Sequence, residues 1–372
     1  MKQLNHAMKL LTSLVMLVSL LALSACEKEQ QAAAPEESKA EKQVITWKLA
    51  QTWGTGFPIF GDAVIKMTDM VKEMSGGEFE IRIDSANKHK AAFGILDMVK
   101  AGQYEMGHSA SYYWKGKDPN TMFFSTMPFG MIAPEQYAWF YYGGGMELMK
   151  KVYDEHGVYA FPGGNTGNQM GGWFRKEINT FDDLDGLKMR VPGFAGEILS
   201  KLGVVVTNIA PGELYTALDR GTIDALEWVG PALDLRMGFH KVAPYYYTGW
   251  HEPGTELMYF FNKDSMAKLP DWAISILKNA ARLTAYNMTT HTFAENAENW
   301  STISEQFPNV QVKEFPPEVM AALRDSNNAL LASEMQRSEV AKKVLESRAA
   351  YLKKARAWTQ IGTQAYLQSL VD

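Results

Sequence analysis

The stretch Gly186–Pro231 constrains the chain more than any other. It opens Gly186-Leu187-Lys188-Met189-Arg190-Val191-Pro192-Gly193 and closes Gly221-Thr222-Ile223-Asp224-Ala225-Leu226-Glu227-Trp228-Val229-Gly230-Pro231. Leu187–Val191 alternates with the period of a strand and stops at Pro192-Gly193. Ile223–Val229 does the same before Gly230-Pro231. Each predicted strand carries a charged residue near its end, Arg190 in one and Glu227 in the other. Open α/β sheets bind ligands outside the carboxyl ends of their strands, so both are candidate site residues. The guanidinium fork of Arg190 matches a carboxylate through two hydrogen bonds. Once buried it needs an acceptor, either an acid of the protein or the carboxylate of a ligand.

The flanking chain reads as alternating strands and helices. Val44–Ala50 is a strand, a helix follows to about Met74, and Phe79–Ile83 is the second strand. A helix around Ile95–Lys100 and a strand at Tyr104–Gly107 complete a β-α-β-α-β order, which predicts a mainly parallel sheet. Tyr112 and Tyr113 come directly after that strand, where they form either a cleft wall or a buried aromatic cluster. Trp53 and Phe57 hold the same position after the first strand. Gly143-Gly144-Gly145 lacks the lysine and spacing of a phosphate loop and predicts a helix interruption. Asn165, Asn168 and Gln169 make a loop rich in amide oxygens. Val204–Val206 predicts a buried strand. Asp271 to about Ser304 is helical, and a second helical region runs from Pro316-Pro317 almost to Asp372.

With 372 residues the chain is long enough for two lobes. A net charge of -5 argues against a nucleic-acid partner, which favours a basic face. Lys2 and Lys9 precede the apolar run Leu10–Leu23 and then Ser24-Ala25-Cys26, the pattern of a secretory signal peptide over residues 1–25. Cys26 is the sole cysteine, so no intramolecular disulfide forms. Leu23-Ser24-Ala25-Cys26 resembles a bacterial lipobox, which implies lipidation of Cys26 and a lipid anchor. Residues 26–43 are polar and predict a flexible tether. There is no nucleophile elbow and no metalloprotease His-Glu pair, and His89, His108, His240 and His251 read as surface or packing residues. The chain is not expected to be an enzyme. Glu227 is unusual in an anion site, because an acid repels the ligand unless a cation intervenes. Carboxylate, amide and backbone oxygens suit hard ions such as Na⁺ or Ca²⁺.

Several runs together resemble the solute-binding subunit of TRAP transporters, the DctP family, in its 2-oxo acid and lactate branch. They are Gly172-Trp173-Phe174-Arg175-Lys176-Glu177-Ile178, Gly186–Arg190, Ile209-Ala210-Pro211-Gly212-Glu213-Leu214-Tyr215, Gly221–Trp228 and Gly249-Trp250-His251-Glu252. The resemblance covers nearly all of the chain beyond the signal peptide. It implies an α/β, two-lobed periplasmic binding protein of type II-like architecture. Each lobe is a mixed, mainly parallel sheet flanked by helices, with long C-terminal helices. The expected division is 44–161 and 246–290 for lobe 1, 162–245 and 291–345 for lobe 2, and 346–372 for a C-terminal helix.

The resemblance also implies a function. The receptor binds a small monocarboxylate, such as pyruvate or lactate, with a cation, and hands it to membrane permease subunits. Arg190 holds the carboxylate. Tyr112 and Tyr113, from their place after a strand, and Asn165, from its nearness to Gln169, are expected to line the ligand. Gln169, Glu227 and the Trp228 carbonyl hold the ion. By charge count, ligand, Arg190 and Glu227 sum to -1, which one Na⁺ neutralises; with Glu252 as a further ligand the sum is -2, which favours Ca²⁺. The C-terminal helices imply a homodimer. The alternatives are a cation-free receptor for a dicarboxylate, sugar acid or polyol, and a structural or adhesive surface lipoprotein.

Overall fold

The computed structural model describes residues 44–370 apart from Thr55. The expected signal peptide, Cys26 and tether lie outside the described residues. In chain order the strands are β1 (Ile45–Gln51), β2 (Phe79–Asp84), β3 (Met106–Ala110), β4 (Val158–Asn165), β5 (Gly172–Phe174), β6 (Lys188–Arg190), β7 (Val205–Thr207), β8 (Ala225–Leu226), β9 (Tyr245–Tyr247), β10 (Glu256–Asn262) and β11 (Gln311–Lys313). They form two sheets, ordered β2-β1-β3-β10-β4 and β11-β9-β5-β8-β6-β7.

Both sheets are mixed. In the first, β1 pairs in parallel with β2 and β3, while β10 lies antiparallel between β3 and β4. In the second, β6 pairs in parallel with β7 and β8, and β5 runs antiparallel to β8 and β9. The chain leaves the first sheet after β4, returns to it from β9 into β10, and crosses again through the helix Asp271–Gln306 to β11. Strand β10 is buried at every position, as its unbroken apolar run Leu257–Phe261 requires of a central strand.

Several boundaries moved. The strand expected at Val204–Val206 as a buried element is β7, one residue later, and Val205 is exposed. It is an edge strand paired only to β6, so one face meets water. The strand expected through Val229 ends at Leu226, which leaves Glu227 and Trp228 beyond its carboxyl end. The expected change of lobe at 245/246 falls inside β9, which belongs to the second sheet, and the one at 290/291 falls inside the helix Asp271–Gln306.

The C-terminal region breaks at Ser338, where the backbone is extended and the serine side chain accepts from the Ala341 N–H. A serine N-cap satisfies a donor that the new helix would otherwise leave unpaired. The helix Pro317–Arg337 therefore ends there and Glu339–Thr359 begins. Gly143 and Gly144 separate the helices Ala133–Tyr142 and Gly145–Asp154, as expected of an interruption.

Where the first two crossing segments meet, there is no room for a side chain at Gly249. A Cβ there would overlap the carbonyl oxygen of Gln169. Gly249→Ala is expected to cost about 3 kcal/mol, the upper end of what overpacking costs when backbone must move. Urea unfolding of the two proteins in chelator measures it.

Candidate functional site

Arg190 closes β6 and is 1% exposed. Its position comes from parallel pairing on both sides, with β7 and β8. Its Nη1 donates to the Glu227 carbonyl at 2.7 Å and lies 3.3 Å from the Glu227 carboxylate, and Nε reaches the Ile209 carbonyl at 3.4 Å. Nη2 has no partner among the described residues, although it is fully buried. A guanidinium nitrogen so placed lacks an acceptor that the protein does not supply. The Arg190 plane also sits 5.4 Å from the Trp228 ring.

Glu227 hangs just past β8, held by its own N–H donating to the Arg190 carbonyl at 3.0 Å. The loop after it is pinned by the buried Asp234. One Asp234 oxygen accepts from the N–H groups of Val229 and Gly230 at 3.1 Å each, and the other from Trp173 and Tyr246. Trp228 then projects against Phe57 of the first lobe, edge to face at 6.0 Å. Trp53 instead packs within that lobe, against Phe60 and His108.

Gln169 and Glu252 come from two of the three segments that cross between the sheets, β4 to β5 and β9 to β10. The Gln169 N–H donates to the Glu252 carbonyl at 3.0 Å, so the two residues are neighbours in space. Their side chains are buried, and Gln169 Oε1 and Glu252 Oε1 both lack a hydrogen-bond partner among the described residues. His251 was expected to be a surface or packing residue. It is buried with Nε2 3.5 Å from the Glu227 carboxylate. Glu227, His251 and Glu252 can each bring one ligand atom within 4.8 Å of the others. The signal for His251 was its place between Trp250 and Glu252, and nothing in its spacing marked it out.

Tyr112 and Tyr113 occupy a short helical turn, Ser111–Trp114, directly after β3. Their rings meet edge to face at 4.8 Å. With Val191, Gly193 and Thr207 of the second lobe they line a cavity of about 590 Å³. Burial raises both hydroxyl pKa values, so they remain neutral donors. Asn165 is committed elsewhere. Its amide donates to Gln136 and Glu256, and its oxygen accepts from the Gly167 N–H.

Burial raises the acids. Glu227 is pushed up to about 8, against the opposing pull of Arg190. Glu252 is pushed up to about 7 by burial and then by Glu227. Burial drives His251 down to about 4, which keeps it neutral. With both acids ionised, Arg190, Glu227 and Glu252 sum to +1 - 1 - 1 = -1 before any ligand enters. Two carboxylates and an unpartnered amide oxygen suit a hard cation held by oxygen. The Trp228 carbonyl is a further oxygen on the same loop.

The model of bacterial extracellular solute-binding protein, family 7 (DctP), matches residues 49–338. This chain is a DctP-family protein. A monocarboxylate 2-oxoacid-binding periplasmic protein of Nostoc sp. is 37% identical over 323 residues, covering 87% of this chain and 88% of the relative. Two crystal structures of TRAP periplasmic solute-binding proteins share the fold. The one from Pseudoalteromonas atlantica, with bound sodium and pyruvate, is 62% identical with a TM-score of 0.87 and covers 88% of this chain and 99% of that one. The one from Colwellia psychrerythraea, with bound calcium and pyruvate, is 60% identical with the same TM-score and coverage. The DctP family consists of extracytoplasmic receptors of transporters, and no helix among the described residues is long and apolar enough to cross a membrane.

A cation placed between Glu227 and Glu252 would compete there with protons. Cation binding should therefore release protons, and affinity should fall as the pH drops below about 8 and then about 7. The expected slope is about tenfold per pH unit for each proton displaced. Calorimetric titration in buffers of different ionisation enthalpy counts the protons.

Proposed function

We propose that this protein is the extracytoplasmic receptor of a TRAP transporter that binds a small monocarboxylate 2-oxo acid, such as pyruvate, together with Na⁺ or Ca²⁺. The observation that carries this reading is the buried Arg190 Nη2 without an acceptor, set beside two buried acids and unpartnered oxygens. The pyruvate-bound relatives at 60% and 62% identity support the ligand class and the ion. Arg190 grips the carboxylate. Gln169, Glu227, Glu252 and the Trp228 carbonyl hold the cation, which supplies the charge that lets an anion rest beside two acids. Tyr112 and Tyr113 form the wall on the first lobe. Asn165 orders the crossing segment. A second carboxylate in the ion's shell favours calcium. Closure of the two lobes excludes water from the ligand, and the closed receptor delivers its ligand to the membrane permease.

Calorimetric titration with pyruvate, lactate and succinate, each in chelator, sodium or calcium, tests the reading. Tight binding of a 2-oxo acid that vanishes in chelator is expected. Arg190→Ala should weaken it at least about 30-fold, the lower end of the roughly 2–5 kcal/mol lost when one partner of a buried charge pair is removed. Succinate binding that ignores cations would overturn the ion site.

Two further features belong to this reading. The lipobox-like Leu23-Ser24-Ala25-Cys26 supports a lipid anchor on Cys26, with the receptor facing the periplasm. The last helical turns support a homodimer: Trp358, Ile361, Tyr366, Leu367 and Leu370 are each more than half exposed. Tyr351 and Leu352 are instead half-buried against the protomer's own core. Sedimentation velocity should give a dimer for the domain from residue 44 onward and a monomer after removal of residues 360–372. A monomer in both would dismiss the dimer.

A further inference from the structure

The first two segments that cross between the lobes are tied to each other through Thr166 and Thr255. The Thr166 N–H donates to the Thr255 carbonyl at 3.0 Å, and the Thr255 N–H reaches the Thr166 hydroxyl at 3.3 Å. Both side chains then turn toward the candidate cation site. The Gln169 Nε2 donates to the Thr166 hydroxyl at 2.9 Å. The Thr255 hydroxyl donates to Oε2 of Glu252. Both threonines are at most 1% exposed.

These bonds decide which atoms face the site. An amide has a donor end and an acceptor end. Because Thr166 holds the donor end of Gln169, the acceptor end, Oε1, is the one left free. Because Thr255 occupies one oxygen of Glu252, the other, Oε1, is left free. Among the described residues those two are the buried side-chain oxygens without partners in the crossing segments, beside the unpartnered ring nitrogens of His251.

We propose that Thr166 and Thr255 are positioning residues that aim Gln169 Oε1 and Glu252 Oε1 at the cation, and that through them cation occupancy stiffens the interlobe crossing. The inference rests on the cation reading above. Neither threonine touches the ion. Each fixes the orientation of an oxygen that does, and orienting groups of this kind change metal affinity by about 10- to 100-fold. Since the crossing segments must flex when lobes open, ordering them from the ion side links binding to closure.

The test uses Thr255→Val, which is nearly isosteric and replaces the hydroxyl by a methyl group, with Thr255→Ser as the conservative rescue. Thr255→Ala, which sets no methyl group against the Glu252 carboxylate, replaces valine if that variant does not fold. Calcium and sodium affinities are measured by calorimetry at saturating pyruvate, and melting temperatures are measured in chelator. The expected result is a loss of about 10-fold or more in calcium affinity, a smaller loss for sodium, recovery in the serine variant, and a melting temperature in chelator close to that of the parent. Thr166→Val should lower the affinity for both ions, because Gln169 is neutral. Unchanged calcium affinity in Thr255→Val would overturn the inference while leaving the cation reading intact. A lower melting temperature with unchanged affinity would do the same, because it would mark a purely structural threonine. A parent protein that binds pyruvate equally in chelator would overturn both.

Discussion

Three ionisable side chains, Arg190, Glu227 and Glu252, are each no more than 2% exposed and meet where the two sheets face one another. Taking charges out of water costs several kcal/mol per ion unless partners repay it. Within the protein the repayment is incomplete. Arg190 spends one nitrogen on Glu227 and leaves another without an acceptor. Glu252 faces Glu227 and is raised by it. The set is short of one anion, at the guanidinium, and of positive charge, at the acids. A monocarboxylate at the guanidinium and a cation at the acids would supply both.

The fold serves this arrangement by hanging each group just beyond regular structure. Arg190 sits at the carboxyl end of β6 and Glu227 just past β8, so short parallel strands aim both at the same point. Asp234 pins the loop that carries Trp228 by accepting four hydrogen bonds inside the second lobe. Gln169 and Glu252 ride on the crossing segments and are paired backbone to backbone. From the first lobe, Phe57 meets Trp228, and the two tyrosines face Val191, Gly193 and Thr207 across a cavity. The site is therefore complete only when both lobes and these two crossings are in register. This is the geometry expected of a receptor that encloses its ligand.

Much of this was legible in local patterns. Alternating apolar residues marked most strands, and Pro192-Gly193 and Gly230-Pro231 marked where they stop. Arg190 and Glu227 stood out because charges near strand ends are otherwise hard to explain. What local patterns did not carry has one cause. Val204–Val206 has the composition of a buried strand, but its place at the sheet edge exposes Val205. His251 carries no local mark of its burial beside Glu227. Asn165 and Gln169 lie in one amide-rich loop, yet one is consumed by Gln136 and Glu256 while the other keeps a free oxygen.

The sequence by itself determined the element types, the turn positions and the chemistry of the groups on offer. Periodicity, proline, glycine and side-chain charge act over a few residues and need no partner to be read. Only the tertiary structure decided which of those groups are buried together and which atom of each is left unpaired. Glu227 and Glu252 are 25 residues apart in the chain, and Gln169 is further still from Glu252. Their meeting depends on the two sheets and on the pairing of Gln169 with Glu252 and of Thr166 with Thr255 across the crossing segments, long-range contacts that no local pattern encodes.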